Sequence, residues 1–357
     1  MDVDRGAQGG TGLLNINSQV TVTVGDELKI WDDGAVFLND ETATLSVGAL
    51  TRAAGGQFNF LRGNLVLTGS GLDINPAGLF GNSVSIFPSQ TLSTTGGGMV
   101  NDGDLNVIGT TVSFTGGPSA NNVGAEVNAI NATLTFDGDL TNNGDLNLIN
   151  TTVNGSLING GAGALAMIGS NSFGDDLQFG PQDNLYVDIS GSNPGDYDTL
   201  TVGGEASLDG SLNVSFASGF DPSGGDTFEI LTAVGGVQDT FTTENLPTLT
   251  GDLQWFVNYN AMSLALVTTW AADFNEDGNV NGDDLVDWEA GFGSSTATHM
   301  TGDANKDAAA NGFDFLAWQT QSGNSGIAVA AAVPEPSTLS LCALAAFALW
   351  PTRRQRP

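Results

Sequence analysis

The sequence predicts a mainly β protein. A right-handed parallel β-solenoid comes first and is closed by a β-rich cap. A small α-helical module of two loops follows, and then a C-terminal hydrophobic helix. Three observations carry this expectation. Short runs such as Val20-Thr21-Val22-Thr23-Val24, Leu65-Val66-Leu67-Thr68 and Ala132-Thr133-Leu134-Thr135-Phe136 alternate in polarity, as strands with one buried face do. Glycine supplies 50 of the 357 residues and charged residues only 13%, so turn formers are plentiful and charged helix formers scarce. One segment also repeats: Asn101-Asp102-Gly103-Asp104-Leu105-Asn106-Val107-Ile108 returns 41 residues later as Asn142-Asn143-Gly144-Asp145-Leu146-Asn147-Leu148-Ile149.

That repeat sets the expected architecture of residues 1–182. A spacing near 40 fits two coils of about 20 residues each in a parallel solenoid. A single coil cannot bury its own inner face, so stacking supplies the core. Gly and Asn at the corners adopt positive φ with little strain. The rival architecture is an antiparallel sandwich, whose strands also alternate. Over residues 183–269 the texture changes. Asp198-Thr199-Leu200-Thr201-Val202, a Phe241 turn, Leu253-Gln254-Trp255-Phe256-Val257 and Met262-Ser263-Leu264-Ala265-Leu266-Val267 succeed one another. This order resembles the segment that ends the β-helical passenger of autotransporter-type surface proteins. The resemblance implies a β-rich cap over the exposed end of the solenoid.

Residues 271–321 hold two twelve-residue loops set 30 residues apart, starting at Asp273 and Asp303. In the first, Asp273, Asn275, Asp277, Asn281 and Asp284 stand at positions 1, 3, 5, 9 and 12. Gly278 stands at the sharp turn of position 6, and Asn279 offers its carbonyl at position 7. In the second, Asp303, Asn305, Asp307, Asn311 and Asp314 keep the same places, with the Ala309 carbonyl at position 7. This is the spacing by which an EF-hand loop surrounds calcium with hard oxygens, with Asp in place of the final Glu. Position 6 of the second loop is Ala308. If the turn there requires positive φ, alanine costs roughly 1 kcal/mol, so the second site is expected to be the weaker. Val280, at position 8, is expected to meet the partner loop. Each loop leads into a helix with a tryptophan four residues after the final Asp, Trp288 and Trp318. One helix per loop resembles the dockerin type I module, which implies two calcium ions and a possible cohesin-like partner. At positions 10 and 11, where cohesin-binding dockerins often carry Ser or Thr, stand Gly282-Asp283 and Gly312-Phe313.

Residues 322–333 read as a linker of small residues. The tail, 334–357, has three parts: Pro334-Glu335-Pro336, an apolar run to Trp350, and Arg353, Arg354 and Arg356. It resembles a PEP-CTERM sorting signal. That implies transient anchoring in the inner membrane by the apolar helix, with the arginines on the cytoplasmic side. It also implies processing by an exosortase-type transpeptidase and delivery to the cell surface or extracellular matrix. The run is short, about 20 Å as a helix against a hydrocarbon core of roughly 30 Å. The first residues, Met1-Asp2-Val3-Asp4-Arg5-Gly6, carry no basic and apolar signal pattern, so an export signal is expected upstream of Met1.

Charge and rare residues narrow the function. The net charge is −32, from 40 acidic residues against 8 Lys plus Arg, and neither cation occurs between Arg62 and Lys306. Nucleic-acid binding, which needs cations to meet phosphates, is excluded. The single cysteine, Cys342, rules out a disulfide framework. The single histidine, His299, lies between the loops, so the body has no Ser-His-Asp triad. The expectation is therefore a non-enzymatic, structural or adhesin-like surface protein that could meet neutral matrix glycans through exposed Thr and Asn ladders. The alternative is a β-helical glycoside hydrolase or lyase, or a carbohydrate-binding protein of polysaccharide breakdown. Its carboxylate pair would come from Asp104, Asp137, Asp139, Asp145, Asp175 and Asp176.

Overall fold

In the computed structural model the alternating runs become strands, and their neighbours in space are the runs one coil away. The structure describes residues 2–3, 12–161, 163–217 and 219–325. Among them the strands form three sheets of 14, 8 and 8 strands. From Leu72 to Phe216 each strand pairs in parallel with the strand three places later in the chain, so successive coils add one strand to each sheet in turn. The antiparallel sandwich is therefore not the fold; the chain is mainly β with parallel sheets, stacked in a solenoid-like way.

The 41-residue echo has a direct structural meaning. Asp104 pairs with Glu126, and Glu126 with Asp145, so the two copies of the repeat lie two coils apart on one sheet. Side chains alternate across each strand, and the inward set stacks column by column. Leu105, Val127, Leu146, Leu165, Leu185 and Leu212 form one such column, fully buried. Leu65, Leu92, Val112, Leu134 and Val153 form another. Phe114 and Phe136 stack within the core with ring centroids 5.6 Å apart. Corners behave as the sequence implies: Gly109, Asn131, Asn150 and Gly169 follow equivalent strands, and all four have positive φ.

One polar column points inward. Asn101, Asn121, Asn142 and Asn159 pair in register and are buried. Each side-chain amide donates to the next Oδ1, at 2.7, 2.8 and 2.6 Å. Each also donates to a main-chain carbonyl near the following turn, at 2.9, 3.0, 3.2 and 3.0 Å. The ladder replaces water on groups that would otherwise be buried without partners. A buried Asn ladder thus stands beside the outward one that the sequence suggests. The outward column Asn106, Asn128, Asn147 is the half-exposed one.

Parallel stacking continues across residue 183: Asn184–Ile189 pairs in parallel with Ala164–Ile168 on one side and Ser211–Phe216 on the other. Antiparallel order appears later, where Thr227–Ala233 meets Ser263–Trp270, with Leu253–Tyr259 next in the sheet. Phe216, Phe220, Phe228 and Trp255 gather there, with ring centroids 5.4 to 6.2 Å apart.

The described chain divides into two units. The β body is one. The other comprises Ser223–Asp226, Asp252–Gln254 and the chain from Thr268 onward. In the second unit, helix α1 (Gly282–Gly291) follows the first loop and helix α2 (Gly312–Gln321) the second. Its small core joins Ala272, Phe274, Val280 and Ala304, with Trp288 and Trp318 packed against it. No helix among the described residues is long and apolar enough to cross a membrane. Pro334, Glu335, Pro336, the apolar run and Cys342 lie outside the described residues, as does most of the linker.

Candidate metal centre

The two loops fold alike, hydrogen bond for hydrogen bond. The amides of Asp277 and Asp307 donate to Asp273 Oδ1 and Asp303 Oδ1, both at 3.1 Å. The same amides donate to Asn275 Oδ1 and Asn305 Oδ1, both at 3.0 Å. Position 6 donates to the first aspartate, from Gly278 at 3.0 Å and Ala308 at 2.8 Å. Position 7 donates to the third ligand position: Asn279 to Asp277 Oδ1 and Ala309 to Asp307 Oδ1, both at 2.9 Å. The chain thus curls around its own carboxylates, which brings positions 1, 3 and 5 to one side of the loop.

The far end of each loop is fixed by the helix it starts. Asn281 and Asn311, at position 9, are the N-caps; their side chains accept from Asp283 and Phe313 amides at 2.7 and 2.8 Å. Asp284 and Asp314, at position 12, complete the capping boxes by accepting from the Asn281 and Asn311 amides, both at 2.8 Å. Asp284 Oδ1 and Asp314 Oδ1 also reach back to the amides of Asn275 and Asn305 at 3.2 and 3.3 Å. Position 12 is therefore buried at the mouth of each loop, and a capping box ties it to the helix N-terminus.

Electrostatics follow from this crowding. Burial raises the Asp273 carboxyl above its ordinary value, and the negative charges of Asp284 and Asp277 push it further. The Thr269 hydroxyl, which donates to Asp273 Oδ2 at 2.9 Å, opposes that shift. Burial likewise raises Asp284, with Asp277 adding to it. Glu276, at position 4, is pushed up to about 7 by burial and by Asp273. A cation among these oxygens would remove the like-charge penalty.

The residues present fit a hard cation. Among the described residues no three His, Cys, Asp or Glu side chains are gathered into a metal cluster of their own. Calcium draws equally on amide and main-chain oxygens and takes six to eight of them. In the first loop the donors would be Asp273, Asn275, Asp277, the Asn279 carbonyl, Asn281 and Asp284. In the second they would be Asp303, Asn305, Asp307, the Ala309 carbonyl, Asn311 and Asp314.

The turn at position 6 does require positive φ: Gly278 has +83° and Ala308 +64°. Position 4 is left-handed too, at Glu276 (+58°) and Lys306 (+60°), which spacing alone did not reveal. Val280 shares the small buried core with Ala304 of the second loop, but the main-chain bonds of the position-8 residues run to the chain just after the helices. Val280 exchanges main-chain bonds with Gly323 and Asn324, just after α2, at 2.8 Å each. Ala310 does the same with Gly293 and Ser294, just after α1, at 2.9 and 3.2 Å. His299 lies within this unit, with Nε2 2.8 Å from the Asp273 carbonyl and Nδ1 3.2 Å from the Gln254 amide. Burial lowers its pKa below the ordinary value.

The carboxylates considered for glycan hydrolysis are all exposed: Asp104, Asp137, Asp139, Asp145, Asp175 and Asp176. Asp137 accepts from the Gly116 amide at 3.1 Å and Asp176 from the Glu205 amide at 2.8 Å, both as turn contacts between neighbouring coils. No protein-family model matches the chain, and no curated protein matches it.

Proposed function

We propose that this chain is an exported, non-enzymatic surface or matrix protein whose right-handed β-solenoid body is followed in the chain by a dockerin-like module that binds two calcium ions. The observation that carries this reading is the pair of twelve-residue loops, which share one ligand spacing and one set of internal hydrogen bonds. Duplication of that geometry 30 residues apart is hard to account for by turn formation alone, since a turn does not need buried aspartates at positions 1 and 12. The PEP-CTERM-like tail supports delivery to the surface through an exosortase-type transpeptidase. Neutral matrix glycans, or a cohesin-like domain on the module, are the partners that fit this placement.

Calcium titration of the full chain by calorimetry, read in parallel by tryptophan fluorescence, tests the central claim. Two unequal sites are expected, with Asp277→Ala damaging the tighter one. Absence of any calcium response would sink it. Incubation with a panel of glycans separates the enzyme reading: release of reducing ends or unsaturated products would favour a hydrolase or lyase over a scaffold.

A further inference from the structure

The matched tryptophans do more than pack. Trp288, on the helix that follows the first loop, donates its indole N–H to the Asn311 carbonyl of the second loop at 3.0 Å. Trp318, on the helix that follows the second loop, donates to the Asn281 carbonyl of the first at 2.7 Å. The contact is reciprocal, and both acceptors are the ninth loop residue. Phe315 stands between the two indoles, 4.9 Å from Trp288 and 5.7 Å from Trp318.

Position 9 is where three constraints meet. Its amide donates to the position-12 carboxylate, its side chain caps the helix, and its carbonyl is held by the opposite repeat. The neighbouring position 8 is also held by the opposite repeat, through the main-chain bonds of Val280 and Ala310. Ordering one loop fixes its position-12 aspartate at the third residue of its own helix. The tryptophan one turn further along that helix then grips the other loop. Each repeat therefore carries the clamp for the other's binding residues.

We propose that the two loops bind calcium as a coupled pair, with Trp288 and Trp318 as positioning residues that transmit occupancy of one loop to the ninth position of the other. This rests on the calcium reading above. The indole N–H groups touch no ion; they act through the carbonyls of Asn311 and Asn281. The weaker second loop, strained at Ala308, gains most from such coupling. Filling the first loop orders α1 and presents Trp288 to Asn311 in advance.

The test is a cycle of calcium titrations by calorimetry on the full chain. Asp277→Ala disables the first loop, and Trp288→Phe with Trp318→Phe removes both indole donors while keeping aromatic rings. In the native background, Asp277→Ala weakens calcium binding at the second loop by about tenfold, a usual size for coupling between sites. In the double-Phe background the same substitution has a much smaller effect. Equal weakening in the two backgrounds would overturn the role of the tryptophans. Native mass spectrometry of the unaltered chain, with calcium added at one ion per chain, gives a readout that requires no variant to fold. Coupled sites leave fewer singly loaded chains than independent binding requires, and a singly loaded share at or above the independent value overturns the proposal. A chain that takes up no calcium fails the calcium reading itself, whereas two ions bound independently overturn only the coupling.

Discussion

Ala308 offers a clean test of how backbone conformation sets the second loop's strength. It occupies the left-handed region at φ +64°, where a Cβ crowds the following carbonyl and costs roughly 1 kcal/mol relative to glycine. Its counterpart Gly278, at φ +83°, has open space: a Cβ built there would meet nothing nearer than the Gly225 Cα at 3.9 Å. Both residues use their N–H groups to hold the first aspartate, and neither Ala308→Gly nor Gly278→Ala removes that donor. The two substitutions are therefore mirror experiments on φ alone. Ala308→Gly is expected to strengthen the loaded second loop by about 1 kcal/mol, or about fivefold in calcium affinity. Gly278→Ala is expected to weaken the first by a similar factor. Calorimetric titration of each full-length variant, with thermal unfolding at saturating calcium, measures both. If the two shifts share a sign, or if both are absent, the strain argument is wrong.

Three further outcomes follow from the body. Asn142→Ala interrupts the buried ladder: the Asn121 amide loses one of its acceptors and keeps the Asp145 carbonyl, and the buried Asn159 Oδ1 loses its Asn142 donor. Urea denaturation should show a loss of about 2–3 kcal/mol, as for unpaired buried polar groups, and a loss below the noise would mean water replaces the amide. Phe114→Ala empties a fully buried ring site against Phe136, and the same assay should register about 3–5 kcal/mol. Asp198 is raised above its ordinary 3.8 by burial, despite amide donors from Gly169 and Asp188. Its folded form then holds a proton more tightly than the unfolded chain, so its contribution is present at low pH and is lost as pH rises through the folded pKa. Native stability relative to Asp198→Asn should therefore increase as pH falls from neutral toward 3.8. A difference that shrinks on acidification would contradict the burial argument.

Much of the body was legible because strand alternation and coil length are local properties of the chain. The echo between Asp104-Leu105-Asn106 and Asp145-Leu146-Asn147 implied two coils, and the register places Glu126 between them. Glycine and asparagine corners were equally readable, since few residues tolerate positive φ. The inward turn of Asn101, Asn121, Asn142 and Asn159 was not readable. Asparagine in a polar-looking run is normally solvent-facing, and only mutual pairing across coils makes its burial tolerable.

The module divides in the same way. The twelve-residue spacing, the matched tryptophans and the departure at Ala308 stand in the sequence, because loop ligands and caps act within a few residues of one another. The tertiary structure alone decided the partners of those tryptophans, whose acceptors lie 23 and 37 residues away in the chain. It also gave the Val280 main chain its partners, Gly323 and Asn324, just after α2. Contacts of that range arise only when two separately encoded repeats pack face to face, so no local spacing records them.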